Sequence, residues 1–210
     1  MDSNKYLDDI SEIKNMMSRS SRFISLSGLS GILAGIYALL GAFFAYLKLQ
    51  QSAALQNDSM RRNIVPLDIN LSIDLGIIAG IVFIAATATG AILSIRKAKK
   101  SNETFWNATS KRLVINFCIP LLVGGFFSLV LMQHAVSGLI ASTTLIFYGL
   151  ACVNASKYTL GDVRYMGFAF IILGLVSTQF IGYGLYFWAL GFGVCHILYG
   201  ALMHYKYDRK

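Results

Sequence analysis

The sequence predicts an all-α integral membrane protein, a six-helix bundle built from three antiparallel helical hairpins and preceded by an N-terminal amphipathic cytoplasmic helix. Six apolar stretches contain none of the 18 Lys and Arg or 10 Asp and Glu residues, and hydrophobic residues make up 56% of the chain. A hydrocarbon core of roughly 30 Å takes about 20 apolar residues as helix, and charges are costly there. The six predicted spans are 23–47, 75–95, 113–132, 135–153, 165–178 and 183–203.

The distribution of positive charge predicts the orientation. Fifteen Lys and Arg residues lie in the N-terminal segment, the second and fourth loops and the C-terminus. The remaining three lie in the first loop, and the third and fifth loops have none. Because cytoplasmic loops hold the positive excess, both termini should be cytoplasmic. The chain then divides into a cytoplasmic amphipathic segment (1–22), a transmembrane domain (23–203) and a basic cytoplasmic tail (204–210).

The lengths of the outer connections predict the hairpins. The connections near 133–134 and 179–182 are short, and short connections join antiparallel neighbours. Helices three and four, and helices five and six, should therefore form tight hairpins. The first hairpin carries a longer outer loop, 48–74, whose Gln, Ser, Asn and Pro content predicts an irregular or partly helical surface.

Two segments should lie on the cytoplasmic surface of the membrane. Residues 3–18 repeat apolar side chains at helical spacing, with acids early and bases late, which suits a helix lying on headgroups or on the protein's own inner face. A partner-binding helix is the alternative. The second loop should attract anionic lipid headgroups, with about 1 kcal/mol from each basic residue. Its basic residues are Arg96, Lys97, Lys99, Lys100, Lys111 and Arg112.

Helix one carries a stripe of six small residues at 3-4-3-4-3 spacing, which lets another backbone approach closely. The stripe favours packing against helix two or another helix of the same chain, and a homo-oligomer is the alternative. A second GxxxG pair, Gly76 and Gly80, lies in helix two. The stripe consists of Gly28, Gly31, Gly35, Ala38, Ala42 and Ala45.

A proline predicts a kink in helix three. Pro120 clashes with the carbonyl of Asn116, four residues earlier, and leaves that carbonyl without its helical partner. Ser142, Thr143 and Thr144 of helix four are the candidate donors to it. A packing irregularity of this kind is the main interpretation, and a cavity of a transporter is the alternative.

His196 is the one titratable side chain, apart from Cys and Tyr, well inside a predicted span. Burial disfavours the charged imidazolium, so we expect a neutral ring that is hydrogen-bonded to a hydroxyl, such as that of Ser142, Thr143 or Thr144, or to a carbonyl freed near Pro120. A proton- or metal-responsive group is the alternative.

Reactive side chains are few. Cys118, Cys152 and Cys195 all fall within spans at spacings unlike a CxxC motif or a zinc site, which is typical of small packing residues. The sequence shows no Ser/His/Asp set, paired carboxylates or phosphate-binding loop. We therefore expect no enzymatic activity and no cofactor. The net charge of +8 follows from membrane orientation, so nucleic acid is not an expected partner.

The stretch YLDDISEIKNMMSRSSRFISLSGLSGILAGIYAL, residues 6–39, resembles the beginning of a family of bacterial multi-pass membrane proteins to which no activity is assigned. The three-hairpin layout is also similar to that of the HdeD-type acid-stress membrane proteins. The resemblance implies the cytoplasmic membrane of a bacterium, and the second likeness slightly favours a role in stress.

Two classes of function remain after sequence analysis. The first is a non-enzymatic scaffold, sensor or stress-related membrane protein whose cytoplasmic helix and basic loop contact a partner or lipid. The second is a facilitator or channel for a neutral or weakly polar solute. Its pathway would be lined by Asn116, Ser128, Thr143, Thr144, Ser177 and Thr178.

Overall fold

The structure is a computed structural model that describes residues 27–61, 69–101, 105–134 and 136–208. Every regular element within these ranges is helical, which confirms the predicted all-α class. The predicted amphipathic segment, residues 1–22, lies outside the described residues, as do the last two residues of the predicted tail.

Six helices follow one another within the described ranges. The last of them, α6, starts at Gly184 and consists of α-helical and π-helical segments in turn: Gly184–Trp188 (α), Ala189–Cys195 (π), His196–Met203 (α) and His204–Asp208 (π). Short 3-10 turns, Ser137–Leu139 and Ser156–Tyr158, flank α4. The other five helices are α1 (Gly28–Arg61), α2 (Ile69–Lys100), α3 (Ala108–Gln133), α4 (Ile140–Ala155) and α5 (Val163–Ser177).

Five helical segments in the described part of the chain are long and apolar enough to cross a membrane. The exception is α5, which has 15 residues and therefore rises roughly 22 Å at 1.5 Å per residue. That is less than the hydrocarbon thickness of roughly 30 Å. The five long segments are Gly28–Ala54, Leu71–Lys100, Ala108–Gln133, Ser137–Tyr158 and Gly184–Tyr207.

The first connection is largely helical. Residues 48–61 continue α1 and residues 69–74 already belong to α2, so most of the predicted outer loop extends the two helices. Leu, Ala and Gln dominate the segment after Lys48, and these residues favour helix. Lys48 Nζ and Asp74 Oδ2 form an ion pair at 2.8 Å, which joins the two extensions.

Helix α1 packs between α2 and α6. On the α2 side, a side chain at Gly41 would meet Val82, and the hydroxyls of Tyr37 and Thr89 lie 3.4 Å apart. On the α6 side, the backbones of the two helices approach so closely that glycine is needed at the crossing. The position of α1 thus depends on small residues.

Helix α4 lies at the centre of the remaining helices and contacts α3, α5 and α6. A side chain at Gly149 of α4 would come within 2.6 Å of the Gly167 carbonyl of α5, and one at Gly167 within 2.7 Å of the Gly149 carbonyl. Leu145 of α4 and Phe170 of α5 are fully buried beside this crossing. The best-packed part of the described fold is therefore the region of α4, α5 and α6.

Candidate functional site

A buried histidine is hydrogen-bonded to a tyrosine at the centre of this region. His196 of α6 is only 8% exposed, and its Nε2 lies 2.7 Å from the hydroxyl of Tyr148 on α4. The rings of Phe170 and Phe192 enclose the pair, with ring centroids 5.2 Å and 5.9 Å from the imidazole. The surrounding apolar rings lower the local dielectric constant, which strengthens the hydrogen bond that joins α4 to α6.

The helix geometry places His196 where it can reach Tyr148. The π-helical segment Ala189–Cys195 ends immediately before His196 and contains the buried residues Gly191 and Gly193. A π turn shifts every following side chain around the helix axis, and such turns are frequent at functional sites. Glycine allows the wider turn to pack directly against Leu145 of α4 and Leu39 of α1.

Further polar groups extend from this pair, and we call His196, Tyr148, Cys152 and Tyr199 the polar chain. Cys152, one turn along α4, presents its thiol to the Tyr148 hydroxyl. Tyr199 lies one turn after His196 on α6 and lines the same cleft as Asp162. The polar chain therefore leads from the aromatic enclosure to the beginning of α5.

Two atoms of the polar chain are buried without a hydrogen-bond partner among the described residues. They are Nδ1 of His196 and the hydroxyl oxygen of Tyr199. A buried polar group that lacks a partner costs about 1–3 kcal/mol, so sites of this kind commonly hold water or a ligand atom.

The polar chain ends at an ionic group that we call the Asp162 cluster: Asp162, Lys206 and Tyr207. Lys206 Nζ lies 2.7 Å from Asp162 Oδ2, and the Tyr207 hydroxyl donates to the same oxygen at 3.0 Å. The cluster ties the turn before α5 to the end of α6.

The hydrogen bond from Lys206 and, to a smaller extent, that from Tyr207 hold the pKa of the Asp162 carboxyl below its usual range. Because the folded pKa is lowered, the stabilisation is present above the unfolded value of about 3.9 and is lost as the pH falls through the lower folded value. The Asp162 carboxylate and the Lys206 ammonium are therefore both charged at neutral pH.

A cleft of about 840 Å³ opens beside the Asp162 cluster. Tyr165 of α5 and Leu202 of α6 form exposed apolar walls, and Tyr199 and the buried Met203 also line it. The cleft thus combines an ion pair with an apolar surface at one end of the helices.

The partner of His196 Nε2 is a hydroxyl, as predicted, but not one of Ser142, Thr143 or Thr144, and the predicted donors to the Asn116 carbonyl are wrong. His196 bonds Tyr148. The Asn116 carbonyl, freed by Pro120, accepts a hydrogen bond of 2.9 Å from the Asn154 side chain, which lies near the end of α4. Asn154 is closer to Asn116 along the helix pair because α4 ends where α3 begins, whereas residues 142–144 lie near the other end of α4.

The hydroxyls at 142–144 make other contacts. Ser142 Oγ donates to Ser177 Oγ of α5 at 2.9 Å, which extends the glycine crossing of these two helices. Thr144 donates to the carbonyl of Ala141 in its own helix, at 2.8 Å. Thr143 is buried in α4. None of the three joins the polar chain.

The small-residue stripe of α1 packs on α6. Side chains at Gly28, Gly31 and Gly35 would come within 2.2 Å, 3.0 Å and 2.6 Å of backbone atoms of α6. Ala38, Ala42 and Ala45 continue the stripe and are also buried. By contrast, a side chain at Gly76 or Gly80 would have no atom of the described residues within 4 Å. The second GxxxG pair therefore makes no close helix contact in the described chain.

The six predicted headgroup-binding residues lie at the end of α2 and the beginning of α3. All of them except Lys97 are exposed, and Lys111 stands over the ring of Trp106 at 5.9 Å. Asn107 caps α3, because its side chain accepts from the Ser110 N–H and its own N–H donates to Ser110 Oγ, both at 2.8 Å. The cap fixes the direction in which the basic loop enters α3.

Sequence reasoning missed Tyr148, Tyr199, Asp162 and Lys206 as parts of one site. One signal was available, since Asp162 is the single acidic residue between the fourth and fifth predicted spans. No group of three His, Cys, Asp or Glu side chains suited to a metal ion occurs within the described ranges.

Comparison with known proteins gave no matching family model, no matching curated protein and no matching solved structure. The chemistry of the site must therefore be argued from its own residues.

Proposed function

We propose that this chain is an integral protein of the bacterial cytoplasmic membrane, with six spans arranged as three antiparallel hairpins and both termini in the cytoplasm. Two observations support the proposal. Large apolar side chains on α2 and α3 are exposed in the protein itself, among them Ile84 at 67% and Leu122 at 72%, and such surfaces need lipid to cover them. The Lys and Arg distribution supports the orientation.

Within that membrane, the chain would act as a non-enzymatic scaffold or sensor through its cytoplasmic side, with a stress-related role as one form of this function. The polar chain supports this view, because its last member, Tyr199, lines the same cleft as the Asp162 cluster on that side. Polar side chains grouped at the cytoplasmic end of the helices are typical of a protein that contacts partners or lipid at that end.

The residues that would line a facilitator pathway do not support that alternative. The side chains of five of these six residues bond to a nearby helix carbonyl or, for Ser177, to a serine of α4, which occupies groups that would replace a solute's hydration. The contacts are Asn116 to the Arg112 carbonyl, Ser128 to Gly124, Thr144 to Ala141, Thr178 to Leu175, and Ser142 to Ser177.

The orientation is tested by cysteine labelling in a variant without the three native cysteines. A cysteine at Ser59 should react with a membrane-impermeant maleimide in intact cells, whereas one at Ser101 should react only after permeabilisation. The reason is that Ser101 follows four basic residues at the end of α2, on the positive side. Labelling of position 101 alone in intact cells would reverse the topology.

The scaffold role is tested by photo-crosslinking in living cells. A photoreactive amino acid in place of Trp106, in the basic loop, should give discrete protein adducts. The matched control is Phe126 of α3, which is similarly exposed but lies in an apolar stretch of the helix. A photoreactive amino acid at this position should give only lipid adducts. Identical adducts at both positions, or no protein adduct at 106, would contradict a partner at the basic loop.

A further inference from the structure

The cleft beside the Asp162 cluster presents two opposite charges against apolar walls. The Lys206 and Asp162 side chains are 57% and 32% exposed, so both can reach a ligand. The neighbouring Tyr165 and Leu202 are 72% and 70% exposed. In water these surfaces would be unfavourable, and at the end of a membrane helix they suit an amphiphile.

The presence of both a positive and a negative side chain in the cleft favours one type of lipid headgroup over others. A phosphate alone would be attracted by Lys206 and repelled by Asp162, so an anionic lipid gains little there. A zwitterion can satisfy both groups, because its phosphate pairs with the ammonium and its own cation pairs with the carboxylate. One ion pair within the protein is then exchanged for two with the ligand.

The carboxylate also selects the type of cation. A primary ammonium has three N–H donors and can form charge-assisted hydrogen bonds with Asp162, whereas a choline group has none. Tyr199 also lines the cleft beside the two charged groups and adds an aromatic surface to it.

We infer that this cleft binds one phosphatidylethanolamine molecule of the cytoplasmic leaflet. Its ammonium group lies at Asp162, its phosphate at Lys206, and its acyl chains run along Leu202 and Tyr165. This inference rests on the proposed membrane orientation, which places the Asp162 cluster at the cytoplasmic surface, but it does not depend on the scaffold role.

Native mass spectrometry of the purified full-length chain tests the inference. The protein in detergent is titrated with dioleoyl phosphatidylethanolamine, phosphatidylcholine or phosphatidylglycerol. We expect the ethanolamine lipid to bind roughly tenfold more tightly than the other two, the scale set by one charge-assisted hydrogen bond. Asp162→Asn should abolish the preference, and Lys206→Gln should weaken binding of all three lipids.

Asp74→Asn is the matched control, because Asp74 forms a similarly exposed ion pair with Lys48 at 2.8 Å away from the cleft. It should leave the preference unchanged. Equal binding of the choline lipid would show that tyrosine rings rather than Asp162 hold the cation, and tighter binding of the glycerol lipid would show that Lys206 acts alone. Either result, or a preference that survives Asp162→Asn, overturns the inference.

The cysteine labelling separates this inference from the proposed function. If labelling follows the predicted orientation and no ethanolamine preference is found, the lipid site is wrong and the orientation stands. If labelling is reversed, the orientation fails whatever the lipid titration shows.

Discussion

Replacing Gly35 by leucine is expected to separate α1 from α6 and to lower the melting temperature of the protein strongly. A Cβ at this position would lie 2.6 Å from the Gly193 carbonyl oxygen and 3.0 Å from the Ile197 nitrogen. Both are backbone atoms of a packed helix, which cannot turn aside as a side-chain end could. Overpacking costs about 1–3 kcal/mol, and a backbone clash lies at the upper end of that range or above it. Expression level and thermal melting in detergent measure the effect.

Gly76→Leu is the matched control. It makes the same exchange in α2, where a side chain would have no described atom within 4 Å, and leucine favours helix more than glycine does. The conservative changes Ile32→Leu and Leu33→Ile in α1 should also be silent. A Gly35→Leu protein that expresses and melts like the wild type would show that the close contact with α6 is not needed for folding.

The stripe on α1 illustrates what the sequence could predict about packing. Small residues at 3-4-3-4-3 spacing share one helix face whatever the rest of the fold does, so the face was predictable. The helix that packs on it was not, because α6 contributes Gly193 and Gly200, seven residues apart within a π-containing helix. A π turn cannot be read from apolar periodicity, and it decides which face of α6 meets α1.

Helix number was predictable and helix ends were less so. The absence of charged residues from six apolar stretches located all six described helices, because a charge inside the bilayer is costly. It could not show that α1 continues past Lys48 to Arg61, because a helix outside the membrane tolerates charge. The end of α5 at Ser177, by contrast, lies within one residue of the predicted span 165–178, and in the turn that follows Gly182 adopts a φ of +98°. That left-handed conformation is one that glycine adopts readily.

The polar site shows a different limit. The position of His196 in an apolar helix was enough to predict that it is buried and hydrogen-bonded, because an unpaired imidazole would be costly there. Its partner is 48 residues away on α4, and three hydroxyls of that helix seemed equally available from sequence. Only the rotation of α4 against α6 distinguishes Tyr148 from Ser142, Thr143 and Thr144.

Replacing His196 by leucine is the second change expected to have a large effect. It removes the partner of the Tyr148 hydroxyl, which lies among the rings of Phe170 and Phe192. The loss is about 1–3 kcal/mol. His196→Gln keeps a polar group at the same position and should be tolerated better. Melting of the purified variants in detergent compares them.

A double-mutant cycle tests whether this effect comes from the hydrogen bond. Tyr148→Phe alone strands Nε2 of His196 and should also destabilise, while the double variant with His196→Leu strands neither group. Interhelical hydrogen bonds in membrane proteins contribute about 0.6 kcal/mol on average, which is less than the cost of stranding a buried polar group. The double variant should therefore be more stable than the sum of the two single losses implies. Strict additivity would mean that the two side chains are not coupled.

The same variants distinguish a structural histidine from a sensor. A structural His196 stays neutral and bonded to Tyr148 between pH 5 and 7, so the protease sensitivity and oligomeric state of the wild type should not change over that range. A sensing His196 would gain a proton and break or reverse the hydrogen bond, because a doubly protonated ring can only donate. The decisive observation is a pH-dependent change in wild type that disappears in His196→Gln while the melting temperature at pH 7 is unaltered. That pattern would contradict the structural role and identify His196 as the group whose protonation changes the protein.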